Sequence, residues 1–199
     1  MDRFFETESR FKECLHRARG VCELQEYLLA NHTDALDTSD MLRASVVLCV
    51  SAFDFLLHEA YRIEVLWRYR DGRSINRFQI PFDVTIADSS DVEAIIEAHV
   101  RKANSYKSFV HPDKYSEAMG CFVTSPWDKV AAKLSQNVTS VKQRVRMIYR
   151  WRNRIAHEAD INPNLAGVEL WPILKQDVVN SIDFFEAVGL ATVDVLRRS

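Results

Sequence analysis

Arg152, Asn153 and His157 sit together in the stretch YRWRNRIAHEAD, residues 149–160, and their chemistry suits the cleavage of a phosphodiester. RNA carries its own nucleophile, the 2′-hydroxyl, so cutting it needs only a base, an acid and a group that holds charge on the phosphorane. An imidazole titrates near neutral pH, which lets His157 take or give the proton. A guanidinium is a planar fork matched to phosphate oxygens, which makes Arg152 the candidate to stabilise the developing charge. Asn153 is placed to orient the phosphate or the imidazole. Arg146, Arg150 and Arg154 share a helix face with His157 and are candidates to guide an RNA backbone. Six Lys or Arg side chains and no acidic one lie between Val141 and His157, a local basic patch that a net charge of −2 does not supply globally. The plainer reading of that face is a solvated basic surface.

Arg152 is harder to dismiss. At about 100° per residue, Val141, Val145, Ile148 and Ile155 form one apolar stripe, and Arg152 falls within it. Burying an unpaired guanidinium costs several kcal/mol, comparable with what a small domain has to spare. Arg152 therefore needs a carboxylate, a cleft or a subunit interface. A second polar anomaly runs along the preceding long apolar helix, where Ser51, Asp54, His58 and Tyr61 form one row. Asp54 is the expected partner of Arg152 across the core, with His58 in support; a purely structural salt bridge is the plainer form of the same pairing. Arg152 and His157 point about 140° apart on a straight helix. Either the helix ends before His157, or a two-fold dimer builds one site from both copies. The dimer is favoured because it also gives Arg152 a destination.

The elements that must position these residues read as helices. Residues 3–31 carry Phe4, Phe11, Leu15, Ala18, Cys22 and Leu28 at helical spacing. A second helix over 40–69, capped by Thr38 or Ser39, is apolar nearly all round in its first half and stops near Gly72. Residues 78–90 are expected to form an excursion loop. Ser90 with Glu93 predicts a capping box that opens a third helix. Residues 105–122 read as irregular. Ser125, Pro126 and Asp128 predict the orderly start of a short helix. A helix over 140–156, a loop, and a last helix over 175–196 complete the chain. The expectation is an all-α, up-and-down bundle of four to five main helices with irregular insertions, a single domain over 1–199.

Composition bounds the function. Hydrophobic residues make up 47% and charged residues 27%, with five Gly and five Pro, as in a helical globular protein. The four cysteines form no CxxC pair and read as reduced thiols of a cytoplasmic protein. The first residues show no signal-peptide core. The run Met41 to Leu57 carries Arg43 and Asp54, so it reads as a buried core helix with no role in a membrane. The six histidines show no ligand-like pairing, HEADI is not HExxH, and neither a phosphate-binding Gly loop nor a G-x-S-x-G elbow occurs. No metal and no cofactor are expected.

RNRIAH, from Arg152 to His157, matches the R-x(4–6)-H signature of the HEPN superfamily, including the polar residue after the arginine. DMLRASVVLCVSAFDFLLHEAYR, PWDKVAAKLSQ and RNRIAHEADINP resemble elements of its RiboL-PSP-HEPN branch, over roughly residues 28–163. The resemblance implies a helical bundle that dimerises with its two motifs face to face. In active members it also implies metal-independent endoribonuclease chemistry in a toxin or phage-defence effector, held in check by an antitoxin or regulatory protein. Other members have lost catalysis and bind a nucleotide, an RNA or a partner protein.

Overall fold

The computed structural model describes residues 2–31, 37–78, 92–165 and 167–199. Among these residues the chain is all helical. Its seven helices are α1 (Phe5–Asn31), α2 (Ser39–Arg70), α3 (Val92–Asn104), α4 (Pro112–Met119), α5 (Pro126–Lys133), α6 (Val138–Glu158) and α7 (Lys175–Arg197).

The apolar character of α2 makes it the centre of the bundle: it packs on α1, α3, α4, α6 and α7. By length and composition α2 could cross a membrane, yet 56% of its apolar window is buried in the bundle, the surroundings a central helix requires. Phe53 of α2 stacks on Phe185 of α7 with ring centroids 4.5 Å apart. Gly189 sets the closest approach. A Cβ there would lie 2.6 Å from Phe11 and 2.7 Å from Leu56, so α1, α2 and α7 meet at a position that admits no side chain. The predicted stripes of α1 and α7 are buried, with Leu28 half-buried. The core joins side chains from all seven helices.

Helix ends correct several expectations. Gly72 follows α2 with φ +66°, as a C-terminal glycine should. Thr38 makes no capping bond; Asp37 Oδ1 accepts instead from Ser39 N at 2.8 Å. Ser125 stands at the start of α5 in a left-handed conformation and makes no side-chain cap. Helix α6 starts two residues before the expected Ser140, because Asn137 Oδ1 accepts from the N–H groups of Thr139 and Ser140. Within the stretch read as irregular, Pro112–Met119 is a helix. Pro112 starts it, His111 Nδ1 accepts from Asp113 N, and Tyr115, Ala118 and Met119 are buried. Two turns are too short to show a helical period by spacing alone. Residues 79–90 of the expected excursion loop, with Ser90 of the capping box, lie outside the described residues.

Candidate active site and nucleic-acid interface

Helix α6 carries the candidate residues and is fixed at both ends. Asn137 caps its start, and Ala159 ends it in the left-handed region with φ 50°, followed by Asp160 with φ 56°. Two left-handed residues in succession turn the chain sharply back after His157. The helix runs through Glu158, so His157 lies inside it, and the option of a helix that ends before His157 is excluded.

The inward stripe of α6 is buried at Val141, Val145 and Ile148, with Ile155 half-buried. Arg152 continues that stripe. Its Nε is closed off from solvent and has no hydrogen-bond partner. Among the described residues it is the one buried side-chain nitrogen or oxygen so placed. Its guanidinium carbon lies 5.6 Å from the centre of the Tyr149 ring.

The expected Asp54–Arg152 pair does not form. Asp54 Oδ1 accepts from the backbone N–H of Phe109 at 2.8 Å and lies 3.6 Å from His58 Nε2. His58 Nε2 is 3.1 Å from the Lys107 carbonyl, which can only accept, so Nε2 carries the proton and donates. The His58 ring also stacks on Phe109 at 4.2 Å. The physical reason is a competing demand: the turn after α3 crosses α2 here, and its backbone groups need partners. Asp54 and His58 thus hold the segment between α3 and α4.

The outward face of α6 forms a row at helical spacing: Arg146, Arg150, Asn153 and His157. Arg150 and His157 are exposed, and Arg146 and Asn153 half-buried. Arg146, Arg150, Asn153 and Arg154 line a cleft of about 1140 Å3 between α6 and the start of α7, completed by Asp177 and Asn180. Arg144 ties the two helices together beneath it, donating to the Asn180 carbonyl at 2.8 Å and lying over Phe184. Neither Arg152 nor His157 lines the cleft. Within one chain the structure therefore gathers Arg146, Arg150 and Arg154, the candidates for guiding RNA, with Asn153, and places Arg152 on a different side of the same helix.

Arg154 is only partly free for a ligand. Its Nε donates to Asp160 Oδ1, and its guanidinium lies 4.9 Å from the Trp171 ring centre. Asp160 is fully buried, and its Oδ2 accepts from Arg43 Nε at 2.7 Å. Arg43 also donates to Ser39 Oγ and to the Trp171 carbonyl, each at 2.6 Å. This network bolts the end of α6 to the start of α2 and was not anticipated from sequence. The sequence carries a signal of it: Arg43 interrupts an apolar run, and a guanidinium buried there, like that of Arg152, needs a partner.

No protein-family model matches this chain, and no curated protein or solved structure matches it.

Proposed function

We propose that the chain is a HEPN-type, metal-independent endoribonuclease acting as a homodimer, with Arg152, Asn153 and His157 as catalytic residues. The observation that carries this reading is Arg152. Nearly every buried polar group in a folded protein is bonded, and an unsatisfied buried donor costs about 1–3 kcal/mol. Here the unsatisfied donor is a cation on the helix that also holds the histidine. The side chain is half-buried, and its terminal nitrogens, which have no partner among the described residues, are where a phosphate oxygen can meet it.

Two features support a dimer, the 140° between the two side chains and the outer face of α2. Helices α2 and α6 run antiparallel: Arg43 meets Asp160 at one end, and Tyr61 and Tyr149 share a cavity towards the other. Along α2, Ala44, Leu48 and Ser51 are exposed at i, i+4 and i+7 on an otherwise apolar helix, with Leu48 42% accessible. A second copy laid against this stripe covers it and brings a second motif to the first.

The row on α6 leads the RNA backbone towards His157. One imidazole accepts the 2′-hydroxyl proton as the O2′–P bond forms. The other copy's imidazole protonates O5′ as the P–O5′ bond breaks. The products are a 2′,3′-cyclic phosphate and a 5′-hydroxyl, and Arg152 holds the negative charge in between.

The test is cleavage of single-stranded RNA in EDTA by the wild type and by His157→Ala. Cleavage that survives EDTA and disappears in the variant supports the reading. No cleavage of any RNA by an intact dimer identifies a silent module that binds without cutting.

A further inference from the structure

A second cavity, of about 570 Å3, opens beside Tyr149. That volume falls in the range of small-ligand sites, about 300–1,000 Å3. Its walls include the rings of Tyr61, Phe109 and Tyr149, with Lys107 and Lys114 in its lining. Tyr61 and Phe109 are nearly buried, with ring centres 5.6 Å apart. The main-chain clamp from Asp54 and His58 onto the Phe109 and Lys107 backbone sets this wall in place.

Asn104 supplies a polar contact in the lining. It is 9% exposed, and its Oδ1 accepts from Lys107 Nζ at 3.1 Å. An ammonium only donates, which fixes the orientation of the amide. Asn104 Nδ2 then makes no hydrogen bond among the described residues, so two donors are left over in a residue that lines the cavity. Glu117, also in the lining, is paired with Lys114 at 2.8 Å.

Aromatic walls suit a π face, solvent-facing amide donors suit a carbonyl oxygen, and lysines suit an anion. Tyr149 is shared: one cavity wall is the ring beneath the Arg152 guanidinium. We infer that this cavity holds one unstacked, carbonyl-bearing nucleobase of the RNA, such as uracil, with the adjoining phosphate at Arg152. The placement of the phosphate rests on the nuclease reading; the binding of the base does not require cleavage.

Calorimetric titration of the full chain with uridine monophosphate and with ribose 5-phosphate tests the inference. The nucleotide is expected to bind at least about tenfold more tightly, the scale of one base stacked on aromatic side chains. Asn104→Asp keeps shape and the Lys107 contact but removes the donors, and is expected to weaken uridine monophosphate about tenfold. Ala118→Phe, which fills the cavity, is expected to abolish the preference, with the isosteric variant guarding against a failure to fold. Equal affinity for the two ligands, or an unchanged affinity in Asn104→Asp, overturns the inference. The two readings fail separately. Base-dependent binding without cleavage in EDTA sinks the nuclease and keeps the cavity, whereas cleavage without base preference does the reverse.

Discussion

Arg43 and Asp160 lie 117 positions apart in the chain and meet at 2.7 Å, Nε to Oδ2, with both side chains buried. Removing one partner of a buried pair leaves an uncompensated charge and costs about 3–5 kcal/mol. Asp160→Ala is therefore expected to lower unfolding free energy by that amount. RNA cleavage should fall with it, because the turn after His157 loses its anchor. Urea denaturation reads the first effect, and a loss below about 1 kcal/mol would contradict the assignment.

Arg152 is expected to behave in the opposite way. Arg152→Met keeps the length of the side chain and removes the unpartnered donor. Stability should hold or rise by about 1 kcal/mol, while RNA cleavage is lost. Denaturant midpoints and cleavage rates measured on the same preparation separate the two. A marked destabilisation would reveal a partner and weaken the case for a phosphate site.

The third prediction concerns Asp54, whose carboxylate receives the Phe109 N–H. Asp54→Ala should cost about 1 kcal/mol and loosen the segment between α3 and α4, seen as faster amide exchange at Phe109. Combined with Arg152→Met, the two effects should add within about 0.5 kcal/mol, since the residues share no bond. A larger coupling would restore the ion pair read from sequence.

Part of the acid sensitivity should come from carboxyls near the two ends of the chain. A hydrogen bond from Arg197 holds the Asp2 carboxyl below its ordinary value, and one from Lys133 does the same for Asp194. A carboxyl whose pKa is depressed in the folded state binds its proton more readily when unfolded. Its contribution is complete above the unfolded value of 3.8 and is lost as pH falls through the lower folded value. The melting temperature should drop most steeply below about pH 4, by a modest amount because both groups are largely solvated. Arg197→Gln should flatten that limb; an unchanged profile would remove these pairs from the account.

The helices were legible because long apolar stripes at a period of 3.6 leave few alternatives, as at Val178, Ile182, Phe185 and Gly189 on α7. The anomaly of Arg152 was legible for the same reason, since a charge in such a stripe stands out. Its partner was not. Helical spacing ranks Asp54 as a candidate but cannot register that a backbone N–H from residue 109 arrives first. The cluster of buried Glu64 with Arg68 and Arg3 leaves one trace in the sequence, the i,i+4 spacing of Glu64 and Arg68 on the central helix. Short elements such as α4 are fixed by what they touch, here Trp127 Nε1 donating to the Pro112 carbonyl and Tyr115 bonded to Thr192. Such contacts have no local period to read.

The hydrogen bonds of the clamp over α2 reach only main-chain atoms of its target, the Lys107 carbonyl and the Phe109 amide, while the His58 ring stacks on Phe109. Apart from the stacked ring of Phe109, a latch of that kind is indifferent to which side chains it carries. The stretch from 105 to 108 can exchange its side chains while keeping its course, and the helix bearing Arg152 and His157 need not change at all. On the proposed reading, selectivity and reactivity meet only at Tyr149, so a new preference for one letter of RNA over another would arise through residues 105–108 without retuning the proposed cutting residues.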